Sequence, residues 1–169
     1  MDANELKKVL ENHRLWIIGK KNGQRADLQD ADLSGADLSG AKLFGAYLYG
    51  ANLQCADLSG ADLNSVYLSG ADLSGAKLFG TKLSGAKLFG AKLFGADLHG
   101  AKNIYSFGPV GFYSRIGYAV KHDTCVMIKL GCFWGTSEQA IIAVSKKYGV
   151  NSLYQRQIEL AVQILQEQE

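Results

Sequence analysis

Residues 31–60 read ADLSGADLSGAKLFGAYLYGANLQCADLSG, and the same register runs without insertion from Ala26 to Gly100 as fifteen pentads. Leu stands third in all fifteen, from Leu28 to Leu98. Ala stands first except at Val66 and Thr81, and Gly stands fifth except at Asp30, Cys55 and Ser65. A period of five suits neither common element. On an α-helix five residues turn about 500°, so successive leucines would wander round every face. On a strand, side chains alternate with period two, so leucines five apart would point to opposite faces. The pattern becomes coherent when each pentad forms one short side of a coil and then turns a corner. The first and third positions then point inward, and the second, fourth and fifth face solvent. A small fifth residue suits a tight corner, glycine best of all.

The string quoted above resembles the pentapeptide repeat family, whose pattern is A(D/N)LxG. The resemblance covers 75 of the 169 residues and implies a mainly β fold: a right-handed quadrilateral β-helix with four pentads per coil. Fifteen pentads then make just under four coils. At about 4.8 Å between stacked strands, such a rod is roughly 18 Å long. Leucine burial alone does not offset the cost of ordering so many backbones. Ladder hydrogen bonds and a closely packed interior must contribute, and the end coils need caps against aggregation.

The flanks read as those caps. Residues 1–25 form an N-terminal helix/strand cap: DANELKKVLE (2–11) is a helix with Asp2 as N-cap, LWII (15–18) a strand, and GKKNG (19–23) a turn. Residues 26–102 are the repeat β-helix. Residues 103–169 form a C-terminal α+β module ending in two helices. In that module 103–107, 112–120 and 125–130 read as strands, separated by FGPVG and KHDT turns. Thr136 to Gln139 has capping-box form before a helix ending at Gly149, and Asn151 or Ser152 starts the last helix. Tyr154, Ile158, Ala161 and Leu165 give that helix one apolar stripe, which makes them candidates for self-association in a homodimer or for packing on their own module. The stretch GCFWGT, with YSRIGY upstream, is similar to C-terminal segments attached to pentapeptide repeats in some phage and bacterial proteins.

Composition narrows the function classes. A formal charge of +2 over 18 basic and 16 acidic residues gives no global field for nucleic acid. The lone proline, Pro109, excludes collagen-like and Pro-rich chains, and 47% hydrophobic content excludes disorder. Apolar runs are too short to span a membrane, and no leader with an apolar core opens the chain. Cys55, Cys125 and Cys132 have no CxxC spacing, so the expected compartment is the cytoplasm. His13, His99 and His122 lie in separate segments, and no GxxxxGK[ST] or GxGxxG occurs. The expectation is therefore no catalytic residue, no metal, no cofactor and no small-molecule substrate. An enzyme would require His122, Asp123 and Cys132 to meet in one pocket, and Cys132 reads more simply as a packed thiol.

Residues 20 apart should stack, so each outward position builds a vertical column. Lys42, Asp62 and Lys82 form one. Asp37, Asp57, Lys77 and Asp97 form another, and Asp32, Asn52, Asp72 and Lys92 a third. Five vertical neighbours along them are opposite in sign, and only Asp37–Asp57 is alike. The resemblance brings in a second reading, a DNA gyrase or topoisomerase IV-binding inhibitor or protector of the DNA-mimic type. Such a mimic needs a continuous negative surface, whereas the repeats carry 8 acidic and 5 basic residues and no interrupting loops. The fourth column reads Asp27, Tyr47, Tyr67 and Lys87, beside Gln29, Tyr49, Ser69 and Phe89. Tyr47, Tyr49, Tyr67 and Phe89 are the candidate partner-binding residues, unless a flank folds over them. The chain thus reads as a non-enzymatic protein-binding or scaffold protein whose partner is another protein or a second copy of itself.

Overall fold

A computed structural model describes residues 1–110, 115–121, 126–130 and 133–167. They divide into two compact units, Met1–Ala101 and Lys102–Glu169.

In the first unit the fifteen pentads stack at a spacing of 20 residues. Parallel bridges link Asp27 to Tyr47, Tyr47 to Tyr67 and Tyr67 to Lys87, and the other three columns pair in the same way. Four pentads therefore close one coil. The hydrogen bonds show how five residues suffice. The first-position N–H closes the corner, as from Ala41 to the Leu38 carbonyl at 3.0 Å. The second donates to the preceding coil, as from Asp57 to the Ala36 carbonyl at 2.9 Å. The third and fifth donate to the following coil, as from Leu58 to the Lys77 carbonyl and from Gly60 to the Phe79 carbonyl, each at 2.8 Å.

Only the fourth N–H has no place in this ladder, and the second side chain takes it. In all eight pentads with Asp or Asn second, that oxygen accepts the N–H two residues on, as Asp37 Oδ1 does from Ser39 N at 3.0 Å. This is the Asx-turn that makes Asp and Asn good turn residues. Lysine cannot accept such a bond. Four of the five pentads with Lys second carry Phe fourth: Phe44, Phe79, Phe89 and Phe94. The corners lie in the left-handed region, with φ near +65° at most glycines and +53°, +56° and +55° at Asp30, Cys55 and Ser65. Those three side chains are accommodated at some cost in backbone strain.

The interior is a stack of leucines. Leu28 through Leu93 are buried in unbroken series, with Leu38, Leu58 and Leu78 each 1% exposed or less. Val66 and Thr81 keep to the buried first position, and the Thr81 hydroxyl donates to the Leu78 carbonyl at 2.8 Å.

Helix α1 (Ala3–Ile17) precedes the coils. Asp2 caps it, accepting from the N–H groups of Asn4 and Glu5, while Glu5 accepts the Asp2 N–H. The expected strand at LWII does not form. This capping box starts the helix, and no breaker follows until Gly19, whose φ is +69°, so Leu15 to Ile17 continue as helix and Ile18 caps it. The chain then turns back tightly enough that a Cβ on Gly23 would clash with the backbone of Leu15 and Trp16.

The second unit is a four-stranded antiparallel sheet in the order β1 (Ile104–Val110), β2 (Arg115–Lys121), β3 (Val126–Leu130), β4 (Phe133–Thr136). Two helices pack on it, α2 (Ser137–Tyr148) and α3 (Leu153–Glu167). Two details differ from the sequence reading. The residues FGPV of the expected first turn are the end of β1, and β4 was not anticipated within GCFWGT. The strand lengthens because Phe107 and Val110 pair with Gly117 and Arg115 of β2 on either side of a bulge, a cross-strand pairing that local turn propensity does not register. The capping box at Thr136 and Gln139 is formed, and Gly149 ends α2.

Leu58→Ala should lower unfolding free energy by about 2–5 kcal/mol, read by urea titration, because the Leu58 side chain is fully enclosed. Asp37→Ala should lower the melting temperature. Asp37→Asn should hold or raise it, keeping the acceptor for Ser39 while relieving the repulsion from Asp57.

Candidate functional site

The strongest constellation lies on the fourth column of the first unit. Twenty-residue stacking sets Tyr67 directly after Tyr47, with ring centroids 5.2 Å apart. Tyr49, two residues along the same side, lies 6.2 Å from Tyr47 and 5.4 Å from Tyr67. All three rings are half-buried. Phe89 stands further along the position-four column, with Ser69 between it and Tyr49, and is 64% exposed. The structure therefore gathers the three tyrosines and sets Phe89 apart from them along the rod.

Two cations complete the cluster. The Arg25 guanidinium lies 3.9 Å from the Tyr47 ring centroid and 5.1 Å from that of Tyr67, with Trp16 at 5.5 Å. It donates to the Tyr47 hydroxyl at 2.6 Å and twice to the Gly45 carbonyl. Lys87 Nζ sits 4.1 Å from the Tyr67 centroid. Hydrogen bonding by Lys87 and then Arg25 lowers the Tyr67 pKa from the usual phenol value, because both cations favour the phenolate. Arg25 has no assigned role in the sequence reading, yet its position is informative. It stands two residues before Asp27, the foot of this column, so a long side chain there reaches the tyrosines of the next two coils.

The flank thus covers part of this face. His13 anchors it. The imidazole is fully buried, stacks on Trp16 at 5.4 Å and accepts the Ala26 N–H at Nδ1, 3.0 Å away. Burial lowers its pKa, and the positive charge of Arg25 adds to the shift. The Phe44 carbonyl opposes this weakly, without a hydrogen bond of normal geometry to Nε2. A groove of about 810 Å³ also opens between α1 and the first coil, lined by Leu6, Leu10, Leu33, Ala36 and Ala41.

The outward charges pair on two columns. Lys77 meets Asp57 at 3.2 Å and Lys92 meets Asp72 at 3.0 Å. The Asp57 pKa falls to about 2, through its bonds to Ser59 first and Lys77 after. Asp72 is held well below the ordinary carboxylate range, chiefly by Ser74. The lysines are exposed and the aspartates half-buried, so solvent screens the pairs and they contribute little stability.

The candidate self-association stripe lies elsewhere than on a free surface. Ile158, Ala161 and Leu165 are wholly buried with Ala119, Val126, Ile128, Ala140 and Val144, and Tyr154 packs against this cluster. The stripe is the core of the second unit, because a four-stranded sheet presents an apolar face that α3 covers. Among the described residues no three His, Cys, Asp or Glu side chains gather as a metal site, and no helix is long and apolar enough to cross a membrane. His99 is exposed and stacks on Phe79 at 5.7 Å. His122, Asp123, Cys125 and Cys132 lie outside the described residues.

A sequence model of pentapeptide repeats matches residues 24–54, 41–80, 56–95 and 71–102. Among solved structures, the chain is 38% identical to a pentapeptide repeat protein from Nostoc Pcc 7120, over 54% of this chain and 72% of that one, with a TM-score of 0.47. It is 35% identical to one from the Arabidopsis thaliana thylakoid lumen, over 47% of this chain and 55% of that one, with a TM-score of 0.45. Similarity to QnrB1, a plasmid-mediated fluoroquinolone resistance protein, is 28% over 47% of this chain and 46% of that one, with a TM-score of 0.20. No curated protein matches the chain.

The His13 geometry has a pH consequence. An unfolded histidine takes up its proton near pH 6.5, and the buried one only at lower pH. The unfolded state then binds more protons, so stability is fully present above about pH 6.5 and declines as pH falls. Urea midpoints should drop between pH 7.5 and 5.5, and His13→Asn should flatten that dependence. Equal slopes in the two proteins would remove the assignment.

Proposed function

The chain belongs to the pentapeptide repeat family, and on that premise we propose that it is a non-enzymatic binding or scaffold protein. Its right-handed rod presents Tyr47, Tyr49 and Tyr67 to a protein partner. The observation that supports this reading is the tyrosine cluster itself: three rings within 6.2 Å of one another on outward positions, braced by two cations. Rigid aromatic groups with polar ends make effective contact residues at low entropic cost. The inward positions argue in the same direction. They hold Leu, Ala, Val and one threonine whose hydroxyl is already bonded, so the chemistry available to the rod is on its outside. Phe89 extends the proposed surface along the rod.

The topoisomerase-directed reading finds no favouring observation. Lys77 and Lys92 pair with the aspartates of their columns, which breaks the continuous negative surface a duplex mimic requires. We place the protein in a reducing cytoplasm on the strength of its cysteines, of which Cys55 is a free, exposed thiol. The phage-like origin of the second unit rests on the GCFWGT and YSRIGY segments alone.

The whole chain, used as bait in an extract of cells that express it, should retain specific proteins. The Tyr47→Ala/Tyr49→Ala/Tyr67→Ala variant should lose them while keeping its melting curve. Retention of the same proteins by that variant would overturn the reading. In a gyrase supercoiling assay the chain should have no effect at micromolar concentration.

A further inference from the structure

The partner of a lysine differs from one column to the next. Lys77 and Lys92 each meet an aspartate one coil away. On the tyrosine face the residue one coil before Lys87 is Tyr67, and the cation rests on its ring. Arg25 likewise rests on Tyr47. Among the described residues neither Arg25 nor Lys87 has an ion pair. Asp27, the acid at the foot of the column, is engaged by the backbone and side-chain amides of Gln29. A ring compensates a cation only in part, so Lys87, three coils from Asp27, keeps an outward positive field at its end of the face.

At its Lys87 end the face combines flat rings, phenolic O–H donors and an exposed cation, while the carboxylates of Asp27 and Asp30 stand in the first coil. We propose that the face takes an acidic segment of a partner polypeptide. Lys87, the exposed cation, meets a carboxylate together with the tyrosine hydroxyls, and the segment lies along the rings. Arg25 acts through its field and by holding Tyr47, since its own donors reach Gly45 and Tyr47. The complementarity is electrostatic, which sets partner choice and encounter more than raw affinity. This inference rests on the tyrosine face being the docking surface and adds the chemistry of what docks there.

Fluorescence anisotropy with fluorescein-labelled decaglutamate and the whole chain at low salt tests it. Binding should be saturable and should weaken as salt is raised. Lys87→Ala should weaken it about three- to fivefold and Lys87→Glu more, with circular dichroism unchanged, whereas Lys92→Ala should leave it as it was. Absence of saturable binding, or equal losses in the Lys87 and Lys92 variants, would overturn the proposal. So would tighter binding of a ten-nucleotide oligothymidine, which would assign the face to single-stranded nucleic acid. If decaglutamate fails while the triple tyrosine variant still loses its partners from extract, the acidic assignment alone falls. If the tyrosine variant also keeps its partners, the docking surface itself falls.

Discussion

The backbone ladder between residues 20 apart constrains everything else in the repeat unit. Each pentad must place four of its five N–H groups within the ladder or its corner, and the geometry leaves the fourth N–H over. Sequence answers that remainder locally. Asp or Asn at the second position accepts it, as Asp57 does from Ser59 and Asp97 from His99. The D/N preference of the pattern is therefore a backbone requirement before it is a surface charge. Leucine at the third position then needs only to be apolar and to fit a stack of leucines lined by the small first-position residues, chiefly alanine.

Once the ladder fixes the coil, the surface becomes a set of columns, and each column has its own electrostatic character. Two of them pair one lysine with one aspartate, Lys77 with Asp57 and Lys92 with Asp72. The tyrosine column differs because its rings recur after a whole circuit and gather in contact. The N-terminal flank reinforces that difference. Helix α1 brings His13 and Trp16 to the start of the coils, and Arg25 extends from there onto Tyr47 and Tyr67. A face that is half-covered by its own flank and still carries unpaired charge is suited to recognising one kind of surface.

Much of this is legible in the residues. The period of five, the inward Ala and Leu, and the spacing that brings Tyr47 beside Tyr67 follow from counting. Local signals also place the caps at Asp2 and Thr136 correctly, because a side-chain oxygen accepting N–H groups within three residues depends on nothing distant. What counting misses has a common cause. LWII carries strand propensity but continues a helix already started at Asp2. FGPV reads as a turn but is held extended by β2 across the sheet. Arg25 looks like one more flank cation until the twenty-residue circuit puts Tyr47 within its reach. The α3 stripe from Tyr154 to Leu165 announces an apolar face, and only the sheet shows that Ala119 and Ile128 are what it covers. Each miss is a tertiary contact overriding a local preference.

Methyl–methyl nuclear Overhauser effects among specifically labelled Leu38, Leu58 and Leu78 test the central claim most directly. The twenty-residue circuit requires cross-peaks between Leu38 and Leu58 and between Leu58 and Leu78, with none between Leu38 and Leu78. Contacts that link Leu38 instead to a leucine 15 or 25 residues away would contradict the circuit, and with it the columns, their charges and the tyrosine face.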